Sequence, residues 1–191
     1  QPFDAYVESL AAEWVRADPM AATRAQYFSG PEQDALDRKL NAQDPGGTPL
    51  DPKERQARID LARTAVERLK AYPAGELSPA QRVSRAMVVS KLEDVLRQND
   101  FADERYVFDQ FRGMQVGLVN FLSQTHPIRN ARDVENYLVR LAQVAPVLDQ
   151  GIAEAKARAK AGVVPPKFIL ERTLEGIDRF LGAGLAVSEP A

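Results

Sequence analysis

The sequence predicts an all-α fold, an irregular helical bundle of about six or seven helices. Three observations lead to that prediction. Apolar residues recur at spacings of three and four along most of the chain, the period of a helix packed on one side. Several of these segments open with a capping residue followed by proline. No segment alternates apolar and polar residues as a half-buried strand does.

Composition suits a single helical domain spanning residues 1–191, with a hydrophobic share of 45%. Its 25 basic and 27 acidic residues are interspersed and give a net charge of −2, which argues against a nucleic-acid partner. Because the chain has no cysteine, it has neither a disulfide nor a Cys-based zinc site. No apolar run reaches the roughly 20 residues that a membrane-spanning helix needs.

The first 40 residues predict three helices. Asp18 and Pro19 end the first helix and cap a short second one. Residues 29–32, Ser-Gly-Pro-Glu, open a third helix with Leu36 and Leu40 as its apolar positions. The apolar stripe of the first helix consists of Phe3, Val7, Leu10 and Trp14.

Residues 41–50 form the clearest loop, and we expect it to be flexible because Asp-Pro-Gly-Gly-Thr-Pro favours turns. Asp51, Pro52 and Glu54 are typical of a helix start, with a capping carboxylate and a glutamate three residues on. Ser78 and Gln81 have the same spacing and predict a second capped helix start. The short turn between these two helices predicts an antiparallel hairpin. The apolar face of the first comprises Ile59, Ala62, Val66 and Leu69, and that of the second Val83, Met87, Val88, Leu92, Val95 and Leu96.

Residues 99–110 lack a clean period and predict an irregular segment packed on the core. Residues 111–124 carry apolar side chains around nearly the whole circumference, as expected for a central, mostly buried helix. Gly113 and Gly117 lie one turn apart and would let a neighbouring helix approach closely.

One long bundle helix is predicted from about Asn130 to Gly162, with a kink or break where Pro146 crowds the carbonyl of Ala142. A last amphipathic helix follows residues 165–166, and residues 182–191 are expected to form a tail. The apolar seam of the long helix consists of Val134, Leu138, Leu141, Ala145, Leu148, Ile152 and Ala155.

The candidate chemistry of this chain is limited by its single histidine, His126. A gluzincin-type zinc site needs two histidines one helical turn apart, with a glutamate beside the first. The segment therefore cannot contain that motif, and we predict no catalytic, cofactor-binding or metal-ligating residue within it.

One histidine and two arginines remain of interest. His126 and Ser123 are neighbours on a helix, but no acid is placed to orient the ring, so we favour an imidazole that contacts the last helical carbonyls. Arg112 and Arg140 each lie in an apolar neighbourhood, and a buried arginine needs a partner. We expect an internal carboxylate for each, with a substrate carboxylate as the alternative.

Several short motifs carry a family resemblance through their order and spacing. In chain order they are Trp14 followed by Asp18-Pro19 and Ala22-Thr23, Leu77-Ser78 with Arg82, Phe121-Leu122 before His126-Pro127, Tyr137-Leu138-Val139-Arg140-Leu141, and Gly162-Val163-Val164-Pro165-Pro166. Together they resemble the N-terminal portion of a bacterial family, domain of unknown function 885. Members are longer, all-helical and often exported or lipid-anchored, and they resemble zinc peptidases through a His-Glu-x-x-His helix later in the chain.

The resemblance implies that this chain is the non-catalytic N-terminal helical part of a zinc-dependent hydrolase, inactive by itself, which covers or lines one wall of the cleft. It also implies a periplasmic or lipid-anchored location. Its partner would be the C-terminal catalytic part of the same protein, docked on an exposed apolar surface. The alternative is a stand-alone helical module that binds a protein or peptide in a groove and has a mostly polar surface. A homo-oligomer is compatible with either hypothesis.

Overall fold

The computed structural model describes residues 1–187, and the side chains of residues 1–182. The all-α prediction is confirmed, because this part of the chain contains no strand and only an isolated bridge between Gln43 and Pro49. The helices are α1 (Phe3–Arg16), α2 (Pro19–Ala25), α3 (Gly30–Asp37), α4 (Pro52–Ala71), α5 (Pro79–Asn99), α6 (Met114–Asn120), α7 (Ala131–Leu141), α8 (Val144–Lys160) and α9 (Lys167–Val187).

The predicted helix starts are confirmed by their capping hydrogen bonds. Asp18 accepts a bond from the amide three residues on, and Asp51 accepts from the amides of residues 53 and 54. Ser78 and Gln81 form a complete capping box, with bonds of 3.2 and 2.9 Å in the two directions. Each cap satisfies amides that a helix cannot satisfy internally, so these local sequences determine where the helices begin.

A first core lies between α1 and the antiparallel hairpin of α4 and α5. The predicted apolar face of α4 is buried throughout, whereas that of α5 is not. Val83 and Met87 are 60% and 66% exposed, because α5 packs on α4 along one side only and leaves its other apolar side chains in solvent. The first core contains Phe3, Tyr6, Leu10, Ala62, Ala65, Val66, Leu69, Leu77 and Leu92.

A second core joins α2, the 41–50 loop, α6 and α8. The irregular segment 99–110 contributes to the interior as predicted, since Ala102 and Val107 are buried. The second core contains Met20, Leu40, Ala42, Leu50, Val107, Met114, Leu118, Phe121 and Val147.

The central helix is shorter than predicted. It begins at Met114 rather than at residue 111, because the Asp109 carboxylate accepts the amide hydrogens of Phe111 and Arg112 and closes a turn before the helix. Its last turn, Phe121–Thr125, is a π-helical turn. It is buried along one side, at Met114, Leu118 and Phe121, and not on most sides.

The prediction that Gly117 permits a close helix contact is wrong, because no atom lies within 4 Å of the position its Cβ would take. Gly151 on α8 has that role instead, since Met114 Sδ occupies the space a Cβ would need. A side chain at position 151 would require the flexible end of Met114 to move and the Phe108 ring to shift slightly.

The long C-terminal helix is broken as predicted. Residues 142–143 separate α7 from α8, three residues before Pro146. α9 continues to Val187, so residues 182–187 of the expected tail are helical, and the remainder of that segment lies outside the described residues.

Candidate functional site

The buried face of α7 is polar. Asp133, Asn136 and Arg140 lie on one side of the helix and are buried, and the last two are 0% exposed. A helix whose polar side faces inward is unusual in a water-soluble domain, where the apolar stripe normally faces the core. The predicted apolar seam is therefore wrong along α7, where it points to solvent.

Arg140 is the centre of the buried face. Its Nε donates to the Lys39 carbonyl and its Nη2 to the Leu36 carbonyl, both over 2.7 Å. Nη2 also donates to Thr23 Oγ1 over 2.9 Å, and Nη1 lies 2.8 Å from His126 Nδ1. Leu36 lies in the last turn of α3 and Lys39 just beyond it, and a cation at this end of a helix is favoured by the helix dipole.

The expected carboxylate partner of Arg140 is absent from the described part of the chain. The nearest connection to a carboxylate passes through the Thr23 hydroxyl, which donates to Asp37 Oδ1 over 2.6 Å. Burial lowers the pKa of Arg140 to about 10, and the negative charge of Asp37 opposes that shift. The guanidinium is therefore still charged at neutral pH.

Arg112 also lacks the expected ion pair within the described residues, and it is exposed. Its backbone amide donates to the Asp109 carboxylate over 2.7 Å.

His126 is neutral, and its tautomer follows from its neighbours. Because arginine can only donate, Nδ1 must accept from Arg140, and the ring proton lies on Nε2, 3.4 Å from the Asp133 carbonyl. Burial and the charge of Arg140 lower the pKa of the imidazole. The ring contacts a carbonyl at the start of α7 rather than the last carbonyls of the preceding helix. Ser123 donates to the Val119 carbonyl, so no Ser–His pair forms.

The Asp133 carboxylate lies at the N-terminal end of the buried face of α7. It accepts from the Arg129 backbone amide over 2.9 Å and from Arg129 Nε over 2.8 Å. The side-chain bond from Arg129 is the main cause that lowers the pKa of Asp133. Asp133 is thus held as an acceptor at neutral pH.

The rest of the α3–α7 contact is also polar. Asn136 accepts from Arg38 Nε over 2.6 Å and donates to Asp34 over 2.9 Å. Gln143 accepts from the Leu40 amide and donates to the Arg38 carbonyl, which fixes the chain just after α3. Asn136 and Asp133 were missed as candidates, although polar residues at 133, 136 and 140 share one helical face.

The opposite side of α7 carries an apolar outer stripe, defined as Val134, Leu138 and Leu141. These side chains are 41%, 58% and 43% exposed. The inner hydrogen bonds fix the rotation of α7, so the outer stripe cannot turn towards the protein's own core. Its position makes this stripe the candidate interaction site of the chain.

The described part of the chain contains neither a metal-binding cluster nor a membrane-spanning helix. There, no group of three or more His, Cys, Asp or Glu residues converges so that it could hold a metal ion. None of the described helices is both long enough and apolar enough to span a membrane.

Comparison with known proteins gives one match. A family model described as "Bacterial protein of unknown function (DUF885)" matches residues 30–189. No curated protein and no solved structure matches the chain.

Proposed function

We propose a function from one premise: the chain belongs to the DUF885 family. Its proposed role is the non-catalytic N-terminal helical part of a zinc-dependent hydrolase, where it forms a wall or cover of the cleft. The metal and the catalytic residues would then belong to a C-terminal part of the same protein, and this chain alone would hydrolyse nothing.

The observation that carries this proposal is the outer stripe of α7. These apolar side chains cannot turn inward, because the rotation of α7 is fixed. Removing them from water therefore requires another surface that covers them, and that burial is favourable. The exposed Glu135 side chain lies beside these three apolar residues, so the surface has an apolar centre and a charged rim, as protein–protein interfaces do. A second part of the same protein is the partner that such an interface suits.

The same observation weighs against the alternative of a stand-alone binding module, for which a mostly polar surface is expected. Exposed apolar side chains also occur on α5, at Val83 and Met87. These positions add to the apolar surface that a further part of the protein would cover.

The residues present do not fit a zinc ion. His126 is the only histidine, and both of its ring nitrogens are engaged inside the α3–α7 contact. Binding zinc would require a free ring nitrogen and further ligands beside it. The chemistry of the proposed hydrolase must therefore be supplied by residues outside this chain.

The test has two steps. First, the gene is read beyond the codon for Ala191; a stop codon there contradicts the proposal, whereas an open frame with a His-Glu-x-x-His helix supports it. Second, this chain and the downstream part are co-expressed as separate polypeptides with one affinity tag. We expect them to purify together.

The variant Leu138→Glu should abolish co-purification, because it places a charge in the centre of the outer stripe. Thr64→Glu, at an exposed polar position on α4, is the matched control and should leave co-purification unchanged. If the two parts do not associate, or if Leu138→Glu associates as well as the control, the outer stripe is not the interface.

A further inference from the structure

A second exposed apolar surface lies far along the chain from the outer stripe, in an open groove between α9 and the turn that precedes α6. Three phenylalanines line it: Phe111 on the turn, and Phe168 and Phe180 on α9. They are 76%, 60% and 57% exposed. Three half-exposed aromatic rings around one groove form a larger apolar patch than scattered surface residues do.

Phe111 is held outward by a tightly bonded turn. The Asp109 carboxylate accepts the Phe111 amide hydrogen over 2.7 Å, and the Asp109 carbonyl accepts from Gln115 Nε2, also over 2.7 Å. The backbone at Gly113 lies against that of Asp109, so closely that a Cβ at position 113 would overlap it. The backbone of Phe111 is therefore fixed at the edge of the groove, which lowers the backbone part of the entropy cost of using this residue in binding.

The α9 side of the groove has space at its centre. Gly176 lines the groove one turn from both Arg172 and Phe180, and no atom lies within 4 Å of the position its Cβ would occupy. The missing side chain lets a ligand approach the helix backbone between these two residues.

The charged residues of the groove are predominantly basic. Arg172 and Arg179 line it, together with Glu175. Arg172 pairs with Glu175 over 3.0 Å, but both side chains are more than half exposed, so the pair is weak and exchangeable. Arg179 has no ion-pair partner among the described residues. Arginine beside aromatic rings is the combination that dominates binding energy at peptide and protein interfaces.

From this juxtaposition we propose that the groove binds an acidic peptide segment, whose apolar side chains contact Phe111, Phe168 and Phe180 and whose carboxylates pair with Arg172 and Arg179. Charge complementarity selects the occupant: the guanidinium groups form bidentate hydrogen bonds with carboxylates, and a basic segment would be repelled. The inference stands on the groove alone. If the proposed hydrolase role also holds, it identifies acidic peptides as the substrate class.

The test uses the purified chain and a fluorescein-labelled peptide, Glu-Phe-Ser-Glu-Phe-Ser-Glu, followed by fluorescence anisotropy. A counterpart with lysine for each glutamate measures the charge preference. We expect the acidic peptide to bind saturably and its affinity to fall as salt is added. The basic peptide should bind at least tenfold more weakly, because a tenfold change is about what one arginine–carboxylate pair contributes.

Phe111→Ala and Arg179→Glu should each weaken binding of the acidic peptide by about tenfold. Leu174→Ala is the matched control, since Leu174 is also exposed on α9 but does not line the groove. The proposal is wrong if the acidic peptide does not bind, if both peptides bind equally, or if the control weakens binding as much as the groove variants.

The variant Leu138→Glu distinguishes peptide binding in the groove from the proposed docking of a catalytic part on the outer stripe. That variant should retain peptide binding while it loses association with the downstream polypeptide. Loss of both functions together would mean that the groove is not an independent site.

Discussion

The first core and the α3–α7 contact hold helices together by opposite means. Between α1, α4 and α5 the buried side chains are apolar, with Leu69 completely covered. Between α3 and α7 the buried side chains are Arg140, Asn136 and Asp133, each satisfied by hydrogen bonds. Apolar packing tolerates small shifts, whereas a network of directed bonds requires one rotation and one register of the helix.

What holds a helix in place decides whether it can present apolar residues to solvent. A helix held by apolar packing must bury its apolar stripe. Because α7 is held by polar groups, Val134, Leu138 and Leu141 remain available for a partner. The polar contact thus sets the direction in which the outer stripe points.

The largest expected effect comes from Arg140→Met. It leaves the Lys39 carbonyl and the His126 ring buried without their donor, and it removes one hydrogen bond to the Leu36 carbonyl and the positive charge that acts on Asp37. The free energy of unfolding should fall by about 3–5 kcal/mol, as measured by urea denaturation. A loss below about 1 kcal/mol would mean that these groups find other partners and that the contact is not specific.

Leu69→Ala provides the comparison in the first core. Removing a fully buried leucine costs transfer energy and leaves a cavity, so the free energy of unfolding should fall by about 3 kcal/mol. If Leu69→Ala is more damaging than Arg140→Met under the same denaturation protocol, apolar packing rather than the polar contact dominates the stability of the fold.

The polar contact should also respond to pH. Because the pKa of His126 is lower in the folded chain, the unfolded chain binds more protons once the pH falls below about 6.5. Stability from this group is complete above that pH and declines as the pH falls towards the folded-state pKa. His126→Asn keeps an acceptor for Arg140 but does not titrate, so its stability should change less between about pH 7 and pH 5.

Chemical denaturation at each pH measures that difference. Since the chain has one histidine, no other imidazole obscures the result. Parallel curves for the two proteins would show that the ring is not held neutral by Arg140 and burial.

The smallest effect is expected on the outer face of the same helix. Leu138→Glu should change the free energy of unfolding of this chain by less than about 0.5 kcal/mol, because position 138 faces solvent. Thermal unfolding of the isolated chain provides the measurement. A loss comparable to that of Arg140→Met would mean that α7 is rotated relative to the structure described above.

Much of the fold was predictable because it depends on local chemistry. The caps at Asp18, Asp51 and Ser78 are recognisable from a few adjacent residues, and Pro146 marks the division of α7 from α8. The buried face of α4 also follows from periodicity alone.

The errors share one cause: an apolar stripe indicates which side of a helix avoids water but not what covers that side. Val83 and Met87 on α5 and the outer stripe of α7 were therefore expected to be buried in this chain, and they are exposed.

The candidate site was harder to predict. The sequence draws attention to Arg140, but two of its four partners are main-chain carbonyls, and because every residue has a carbonyl, composition cannot reveal which ones converge. The turn that holds Phe111 outward depends on the Asp109 carboxylate, whose contacts arise only after folding.

The 41–50 loop has a consequence for how the protein would be degraded. Its small and polar residues are typical of the exposed loops that proteases cut preferentially. In this loop, however, Asp44 Oδ1 accepts from the amides of Gly46 and Thr48, and Asp44 Oδ2 lies 3.2 Å from Arg105 Nη1. Ala42 and Leu50 are buried in the second core. A protease must extract these residues before it can cut, so cleavage in the loop requires the second core to open. The rate of that cut therefore reports how often this half of the molecule unfolds.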